Sequence, residues 1–420
     1  MKIKMHSAES IRLNSSSRKP WNRKFRKFRK LWISCALGLA LFLVPLLALH
    51  PAAQAQTYSE TVIYSFNGGA GGTEPLFSGV VRDEAGNFYG TTSSGGAFNF
   101  GTVFKVDPSG NETVLHSFGE GFDGRTPYGA LVMDESGNLY GTTVNGGNRN
   151  AECHTGCGIV FEIDVAGNMK TLHRFSGPDG ASPIGGLIRD TAGNLYGTAE
   201  TGGRYHSGTI FKLDPTGAES VLYSFAGPPD GDYPEAGLIL DAVGNLYGTT
   251  AGGGTIGAGT VFELNASGHE TVLHSFGGTS DGSDPMAPLF RASNGDLYGT
   301  TFSGGASIGT IFKVDASGNE KVLHTFDGSS GAYPEGALVS DSQGNLYGTT
   351  IQGGPGGIAG GILYEITLQG VFSPVYAFPG EPSGGGSPAG PLLMDSAGNF
   401  YGTTASGGTT GNGTVYKLTR

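Results

Sequence analysis

The 420-residue sequence predicts an all-β fold, a seven-bladed β-propeller of four-stranded antiparallel blades, and three observations support this prediction. A string close to "GNLYGTT" recurs seven times along the chain. Each period contains four short apolar runs bounded by turn residues. The chain begins and ends partway through a period, so the N-terminal strand is expected to complete the last blade.

The recurring string places one tyrosine in each period. These tyrosines are Tyr89, Tyr140, Tyr196, Tyr247, Tyr298, Tyr347 and Tyr401, at intervals of 51, 56, 51, 51, 49 and 54 residues. A period of this length is typical of propellers, solenoids and arrays. Glycine is unusually abundant, at 76 residues, but aromatic residues make up 10% of the chain and recur at fixed places. Regular aromatic placement indicates a packed core rather than a low-complexity chain.

The first 55 residues differ from the rest of the chain. A basic segment, "RKPWNRKFRKFRK", precedes an apolar run of 19 residues, "LWISCALGLALFLVPLLAL", and the small-residue sequence "HPAAQAQ" follows. This order predicts a secretory signal peptide over residues 1–55, with residues 56–420 forming the propeller. The apolar run is long enough to span a bilayer, so an uncleaved N-terminal anchor remains the alternative. The protein is therefore expected to be exported, to the periplasm, the extracellular space or the cell surface.

The charge of the exported part argues against nucleic acid as a partner. Removing residues 1–55 takes away 11 of the 25 basic side chains and one of the 36 acidic ones, which leaves a net charge of about −21. Binding to phosphate groups requires a basic face. A negative surface keeps an exported protein soluble, and it also attracts cations and basic surfaces.

The second period shows the predicted strand pattern most clearly. Its four runs are named a ("GALVMD"), b ("NLYGTT"), c ("GIVFEID") and d ("MKTLHRF"). The a–b turn, "DESGN", and the c–d turn, "DVAGN", each combine an aspartate that caps the turn with a glycine suited to positive φ. Calcium ligation by these acids is the alternative, but hairpin capping by itself explains every one of them.

Run d carries the aromatic residues predicted to hold neighbouring blades together. It ends in phenylalanine in every copy: Phe66, Phe118, Phe175, Phe225, Phe276, Phe326 and Phe378. Burial of each phenyl ring is worth roughly 1.5–3 kcal/mol. Two positions earlier the copies carry histidine or tyrosine, and this interchange favours a packing role over proton transfer. The tyrosine of run b is interpreted in the same way, as filling a gap between sheets, with a sugar-binding aromatic row as the alternative.

The two chain ends predict how the ring closes. "ETVIYSF", residues 60–66, is a d run with no preceding a, b or c run, whereas "GTVYKLTR" ends the chain at a c run. Pairing the two ends hides the exposed strand edges of an open ring. A parallel β-helix is the competing architecture, but its coils are shorter and need no hairpin turns.

The b–c and d–a connections are expected on one face of the ring, which is the predicted ligand face because these loops are long and rich in glycine and acid. The candidate ligand residues are four loop aspartates: Asp123, Asp179, Asp230 and Asp281. Each lies in an Asp-Gly pair, so ordinary turn formation is the alternative. The longest b–c loop, residues 144–157, is predicted to carry a Cys153–Cys157 disulfide and to contact a partner. A metal site with His154 would have only three near ligands, so no metal site is expected.

The run "D-x-x-G-N-L-Y-G-T-T" followed by "G-T-V-F-K-V-D-x-x-G" resembles the repeat of the GloVer (choice-of-anchor) family of exported bacterial proteins. The resemblance covers nearly all of residues 60–420. It implies secretion or surface location, and it implies no activity and no catalytic residues.

Three functions remain open at this stage. The first is a binding or scaffold module that recognises a glycan or a cell-surface protein through its glycine- and aspartate-rich loop face. The second is a carbohydrate-active enzyme or lyase at the central opening, which needs nonrepeated residues such as Arg125, Arg204 or His206 to converge there. The third is a purely structural surface protein. Near-equivalent repeats favour binding over catalysis, and enzyme activity stays open. We expect no cofactor, no nucleic acid, a monomeric state and no membrane contact beyond the N-terminal segment; calcium is the one ion considered.

Overall fold

The structure is a computed structural model that describes residues 58–420 except 120, 152, 358–359 and 381–383. The predicted signal peptide, residues 1–55, lies outside the described residues. Within the described residues, no helix is both long enough and apolar enough to cross a membrane.

Seven antiparallel sheets of four strands form a seven-bladed β-propeller, as the sequence predicts. Within each sheet the strands are hydrogen-bonded in the order a, b, c, d. Their bounds are Val81–Arg82, Phe88–Thr92, Thr102–Val106 and Glu112–Ser117 in blade 1; Val132–Met133, Leu139–Thr143, Ile159–Ile163 and Met169–Arg174 in blade 2; Ile188–Arg189, Leu195–Ala199, Thr209–Leu213 and Glu219–Ser224 in blade 3; Ile239–Leu240, Leu246–Thr250, Thr260–Leu264 and Glu270–Ser275 in blade 4; Phe290–Arg291, Leu297–Thr301, Thr310–Val314 and Glu320–Thr325 in blade 5; Val339–Ser340, Leu346–Thr350, Ile362–Ile366 and Phe372–Ala377 in blade 6; and Leu393–Met394, Phe400–Thr404, Thr414–Thr419 and Ser59–Ser65 in blade 7.

In the described part of the chain, the loops add only short elements to the blades. Three two-stranded ribbons join a d–a loop to the following b–c loop, and two 3₁₀ turns lie at Gly69–Gly71 and Pro355–Gly357. The ribbons pair Gly124–Arg125 with Asn145–Gly146, Gly231–Asp232 with Gly252–Gly253, and Gly385–Gly386 with Ser406–Gly407.

Blade 7 is built from both ends of the chain, which confirms the predicted closure. The first strand, Ser59–Ser65, pairs antiparallel with the last strand, Thr414–Thr419. The next residue, Phe66, donates its backbone N–H to Gly413 O at 3.0 Å. Phe118 makes the equivalent bond to Gly101 O within blade 1. The blade shared by the two chain ends therefore has the same hydrogen bond at the end of strand d as a blade formed by one continuous segment.

The a–b hairpins have the turn chemistry that the sequence predicts. All seven hairpin glycines have positive φ, between 77° and 95°. In blade 2, Asp134 Oδ1 accepts the N–H groups of Ser136 and Asn138, while Oδ2 accepts the Tyr140 hydroxyl at 3.0 Å. The tyrosine of run b therefore fills space and also anchors the turn aspartate. These bonds engage the carboxylate with donors of its own blade, as hairpin capping requires.

The core lies between the sheets and is centred on the phenylalanine that follows each strand d. All seven of these rings are fully buried. Phe66 meets Phe104 of blade 1 edge to face at 5.0 Å, and Phe225 meets Phe262 of blade 4 at 5.2 Å. Each blade therefore packs through this ring onto strand c of the next blade, as predicted for run d.

A ring of seven prolines positions the chain around the central opening. The residue before each proline is not glycine, yet it has a left-handed φ of 53–58°. Its N–H bonds to the b–c loop of the preceding blade and its carbonyl accepts a bond from its own blade, as Thr126 does with Phe100 O and Val144 N. These bonds hold an unfavourable backbone conformation in place and direct the residues after the proline toward the centre.

Candidate functional site

A cavity of about 180 Å³ lies at the centre of the ring, and residues from all seven blades line it. Its lining comes from the segments that follow the ring prolines and precede the a strands. Small residues dominate because these segments approach one another closely: a Cβ atom on Gly185 would lie 2.8 Å from the carbonyl oxygen of Ala236 in the next blade. The cavity is consequently narrow and mostly apolar.

The repeat symmetry breaks at this cavity. The lining residues with larger side chains are Phe77, Tyr128, Ile184, Glu235, Met286 and Glu335. Phe77 and Tyr128 pack edge to face with their ring centroids 5.7 Å apart and form an aromatic wall. Glu235 and Glu335, from blades 4 and 6, supply the carboxylates. The cavity therefore combines aromatic rings with two carboxyl groups, and only the copies in blades 4 and 6 carry an acid directly after the ring proline.

Burial and the charges of nearby carboxylates change the acidity of both glutamates. Burial, with a further contribution from the charges of Glu200 and Asp284, raises the pKa of Glu235 to about 7. Burial, with the charge of Glu235, raises the pKa of Glu335 to about 7. Near neutral pH the cavity therefore holds carboxyl groups that can both donate and accept hydrogen bonds.

Two tyrosines stand directly before the prolines that precede the cavity glutamates. Tyr233 immediately precedes the proline before Glu235, and its side chain is 44% exposed. Tyr333 has the same position before Glu335 and stacks on Phe302 with ring centroids 4.8 Å apart. Neither tyrosine lines the cavity itself.

The four predicted ligand aspartates lie elsewhere, between the outermost strands of neighbouring blades. Asp123, Asp179 and Asp281 contact the Nε2 atoms of His116, His173 and His274 at 3.2, 2.9 and 3.3 Å, and Asp230 accepts the Tyr223 hydroxyl at 2.9 Å. None of the four lines the central cavity. Each also accepts a loop backbone N–H, so turn formation explains part of its role, and a ligand role remains a prediction.

The bonds to Asp123 and Asp179 outweigh the effect of burial on their acidity. Burial is the largest single influence and would raise the pKa of Asp123, but bonds from His116 and from the backbone N–H groups of Gly119 and Gly124 lower it overall. The pKa of Asp179 is lowered against burial in the same way, by His173 and Ser176. Both carboxylates are therefore ionised at neutral pH.

The cysteine-containing part of the long b–c loop packs against the blades and does not protrude into solvent. Cys153 and Cys157 are both buried, with Cα atoms 5.0 Å apart and their sulfur atoms in the arrangement of a disulfide. They join the cluster that contains Phe175 between blades 2 and 3. The predicted partner contact is therefore restricted to the exposed residues of the loop, Arg149 and His154 among them.

The nonrepeated residues considered for catalysis do not line the central cavity. Arg125 lies over the Phe100 ring at 4.0 Å, and Arg204 lies over Tyr205 in a b–c loop. His206 follows in the same loop. Sequence reasoning missed Glu235 and Glu335, although "YPEAGL" and "YPEGAL" put an acid after the proline where the other copies have leucine, tyrosine, isoleucine, methionine or alanine. A comparison of that position across the copies is the signal that would have found them.

Comparison with known proteins supports both the repeat and the fold. A family model described as the Gloeobacter/Verrucomicrobia repeat matches residues 49–243, 150–359 and 309–420. No curated protein sequence matches the chain. Among solved structures, the extracellular domain of a proposed hybrid two-component system from B. thetaiotaomicron aligns with a TM-score of 0.58 at 13% identity, covering 87% of this chain and 40% of that one.

Two further structures show the same likeness. The extracellular domain of a second such system from B. thetaiotaomicron aligns with a TM-score of 0.54 at 13% identity, over 86% of this chain and 41% of that one. A proposed 6-phosphogluconolactonase from Bacteroides uniformis aligns with a TM-score of 0.50 at 16% identity, over 75% and 88% of the two chains. The chain thus spans about 40% of the length of the two extracellular domains. At these identities the likeness shows the propeller fold alone.

Proposed function

Because the chain belongs to the Gloeobacter/Verrucomicrobia repeat family, whose repeat here builds a closed ring around one asymmetric cavity, we propose that the protein is an exported binding module that recognises a glycan at its central opening. The carrying observation is the conjunction of the Phe77–Tyr128 aromatic wall with Glu235 and Glu335 in one cavity. The repeats are otherwise nearly equivalent, so this departure from the pattern marks the site.

The chemistry of the cavity matches the two faces of a sugar ring. The C–H faces of a pyranose pack against aromatic rings, while its hydroxyl groups require hydrogen-bonding partners in the same plane. A glutamic acid with a pKa of about 7 serves as donor or acceptor for such hydroxyls.

The size of the cavity limits what enters it. A cavity of roughly 150 Å³ accommodates benzene, so a cavity of about 180 Å³ suits one six-membered ring. We therefore infer that one sugar residue, at a chain end or on a branch, enters the opening while the rest of the glycan contacts the rim. Export through the predicted signal peptide belongs to the same proposal, since extracellular glycans are the ligands in question.

A binding experiment on matched variants tests the proposal. The purified protein is screened against glycans and cell-wall fragments, with and without calcium, and the best ligand is titrated by calorimetry. Y128A and E335Q are expected to weaken binding at least about tenfold, because each removes one of the two chemical partners of the sugar. Y205A is the control, since Tyr205 is an exposed tyrosine of a b–c loop away from the cavity lining. Equal binding by the wild type, Y128A and E335Q would refute the central site.

A carbohydrate-active enzyme is the second candidate, and the raised pKa values of the two glutamates favour it. A carboxyl group with a pKa near 7 is suited to general acid catalysis at neutral pH. Glycoside hydrolysis uses a pair of carboxyl groups on either side of the scissile bond. Turnover of a bound glycan that disappears in both E235Q and E335Q would favour this function over binding alone.

A further inference from the structure

Seven clusters in corresponding positions, with differing side chains, lie between the outermost strands of successive blades. Each inter-blade cluster contains the histidine or tyrosine near the end of one strand d, a residue of the following d–a loop, and a residue at or near the start of the next strand d. Two of the clusters combine histidine, aspartate and glutamate: His173, Asp179 and Glu219 between blades 2 and 3, and His274, Asp281 and Glu320 between blades 4 and 5. In each, one potential ligand atom per residue lies within 4.8 Å of the other two.

We propose that these two clusters bind divalent transition-metal cations, with zinc as the best match. One imidazole nitrogen and two carboxylate oxygens are ligands that zinc accepts, with the fourth position left to water. Calcium is a weaker match because it prefers an all-oxygen set. The sequence predicts no metal site here, because these ligands come from two blades and their distances depend on the tertiary structure.

Unsatisfied carboxylate oxygens support the proposal. In the cluster between blades 4 and 5, Asp281 Oδ1 and Glu320 Oε1 are buried and accept no hydrogen bond. In the cluster between blades 2 and 3, Glu219 Oε1 is in the same state. A buried carboxylate oxygen without a donor is costly, and a cation would satisfy all three atoms.

In two of the three clusters that carry tyrosine, the tyrosine hydroxyl donates to the glutamate; in the third, the Tyr223 hydroxyl donates to Asp230 instead. The Tyr64 hydroxyl donates to Glu112 Oε2 at 2.6 Å, and the Tyr376 hydroxyl donates to Glu60 Oε2 at 3.1 Å. One oxygen each of Glu112 and Glu270, in tyrosine clusters, is also buried without a partner, so what distinguishes the two proposed sites is the imidazole nitrogen beside the two acids. In the two histidine clusters the imidazole contacts the aspartate instead, at 2.9 Å for His173 and 3.3 Å for His274, and the glutamate has no hydrogen-bond donor. The histidine clusters therefore contain two acids where the ring bonds to only one.

The geometry requires only a small adjustment to hold an ion. Ligand atoms of a tetrahedral zinc site lie about 3.3 Å apart, given bonds of about 2.0–2.1 Å. The histidine and aspartate atoms are already near this separation, at 2.9 and 3.3 Å, so only the glutamate carboxylate has to move closer. The side chains of His274 and Asp281 are 18% and 16% exposed, which leaves the ion a path from solvent.

One cluster of the same chain lacks a single ligand and provides a matched control. Between blades 1 and 2, His116 Nε2 and Asp123 Oδ2 lie 3.2 Å apart, but Met169 begins the next strand d where Glu219 and Glu320 stand in the others. Converting this residue to glutamate is expected to create a third site. Glu112, in a tyrosine cluster, provides the control for loss of a carboxylate at a place where no site is proposed.

The test is a zinc titration of the purified full chain without a histidine tag, after removal of metal with a chelator. Calorimetry and elemental analysis are expected to find two zinc ions per wild-type chain, one in E320Q, none in the E219Q/E320Q double variant and three in M169E. E112Q is expected to keep two, and thermal melting with and without zinc checks that each variant is folded. Zinc is expected to raise the melting temperature of the wild type and not that of the double variant.

Several results would overturn the proposal. A wild-type chain that retains no zinc at tens of micromolar would do so, as would undiminished zinc binding by E219Q/E320Q. Calcium binding as tight as zinc binding would overturn the ligand assignment. An M169E chain that still binds two ions would show that the glutamate does not complete the site.

Discussion

Replacement of Phe66 by alanine tests the closed ring directly. Phe66 stands at the junction of the two chain ends, immediately after the strand that completes blade 7, and it is fully buried. Phe225 is its counterpart in the middle of the chain, also fully buried, and serves as the reference. If the propeller is closed, removal of either phenyl group should lower the free energy of unfolding by a similar amount.

The expected magnitude follows from the matched surroundings of the two rings. Phe66 contacts Tyr64 at 5.1 Å and Phe104 at 5.0 Å, while Phe225 contacts Tyr223 at 5.1 Å and Phe262 at 5.2 Å. Truncation of a buried phenylalanine to alanine costs about 3–5 kcal/mol because burial is lost and a cavity remains. We expect F66A and F225A to lower the free energy of unfolding by this amount, and to agree within about 1 kcal/mol.

Urea denaturation followed by circular dichroism measures both variants under the same conditions, so that errors of extrapolation largely cancel in the comparison. In an open arrangement Phe66 would be an exposed residue near a chain end, and its replacement would cost less than about 0.5 kcal/mol. An F66A variant as stable as the wild type, beside a destabilised F225A, would therefore refute the closure.

Two further predictions concern the cavity acid and the cysteines. For Glu335, burial raises the pKa to about 7, so the stability associated with its neutral carboxyl is present below about pH 4.5 and is lost as the pH rises through 7. The E335Q variant should therefore be more stable than the wild type by on the order of 2 kcal/mol at pH 8, and by little at pH 5. Melting temperatures at the two pH values check the sign. For the cysteines, a Cys153–Cys157 disulfide that closes a short loop is worth about 2 kcal/mol of stability. The free energy of unfolding of C153A/C157A, measured by urea denaturation, should be lower by that amount. Thiol labelling of either cysteine in the denatured wild type would contradict the pairing.

Much of the architecture follows from interactions that act over a few residues. The hairpin glycines and their capping aspartates, the phenylalanine after each strand d, and the split last blade all depend on local turn chemistry and on counting. Repetition makes these signals reliable, because each copy independently reports the same geometry. Among the a–b hairpins, the one with Ala292 in place of the aspartate keeps its glycine, and there the buried Asp296 pairs with Lys313 at 2.5 Å.

The sequence by itself determined the strands, the blade number and the way the ring closes, since those features are encoded within each period. Only the tertiary structure decided which side chains meet. Glu235 and Glu335 share a cavity because closure brings the fourth and sixth copies to one axis, and Glu320 reaches His274 because adjacent blades overlap at their outer strands. A repeated pattern specifies each unit, whereas contacts between units depend on the curvature of the whole ring.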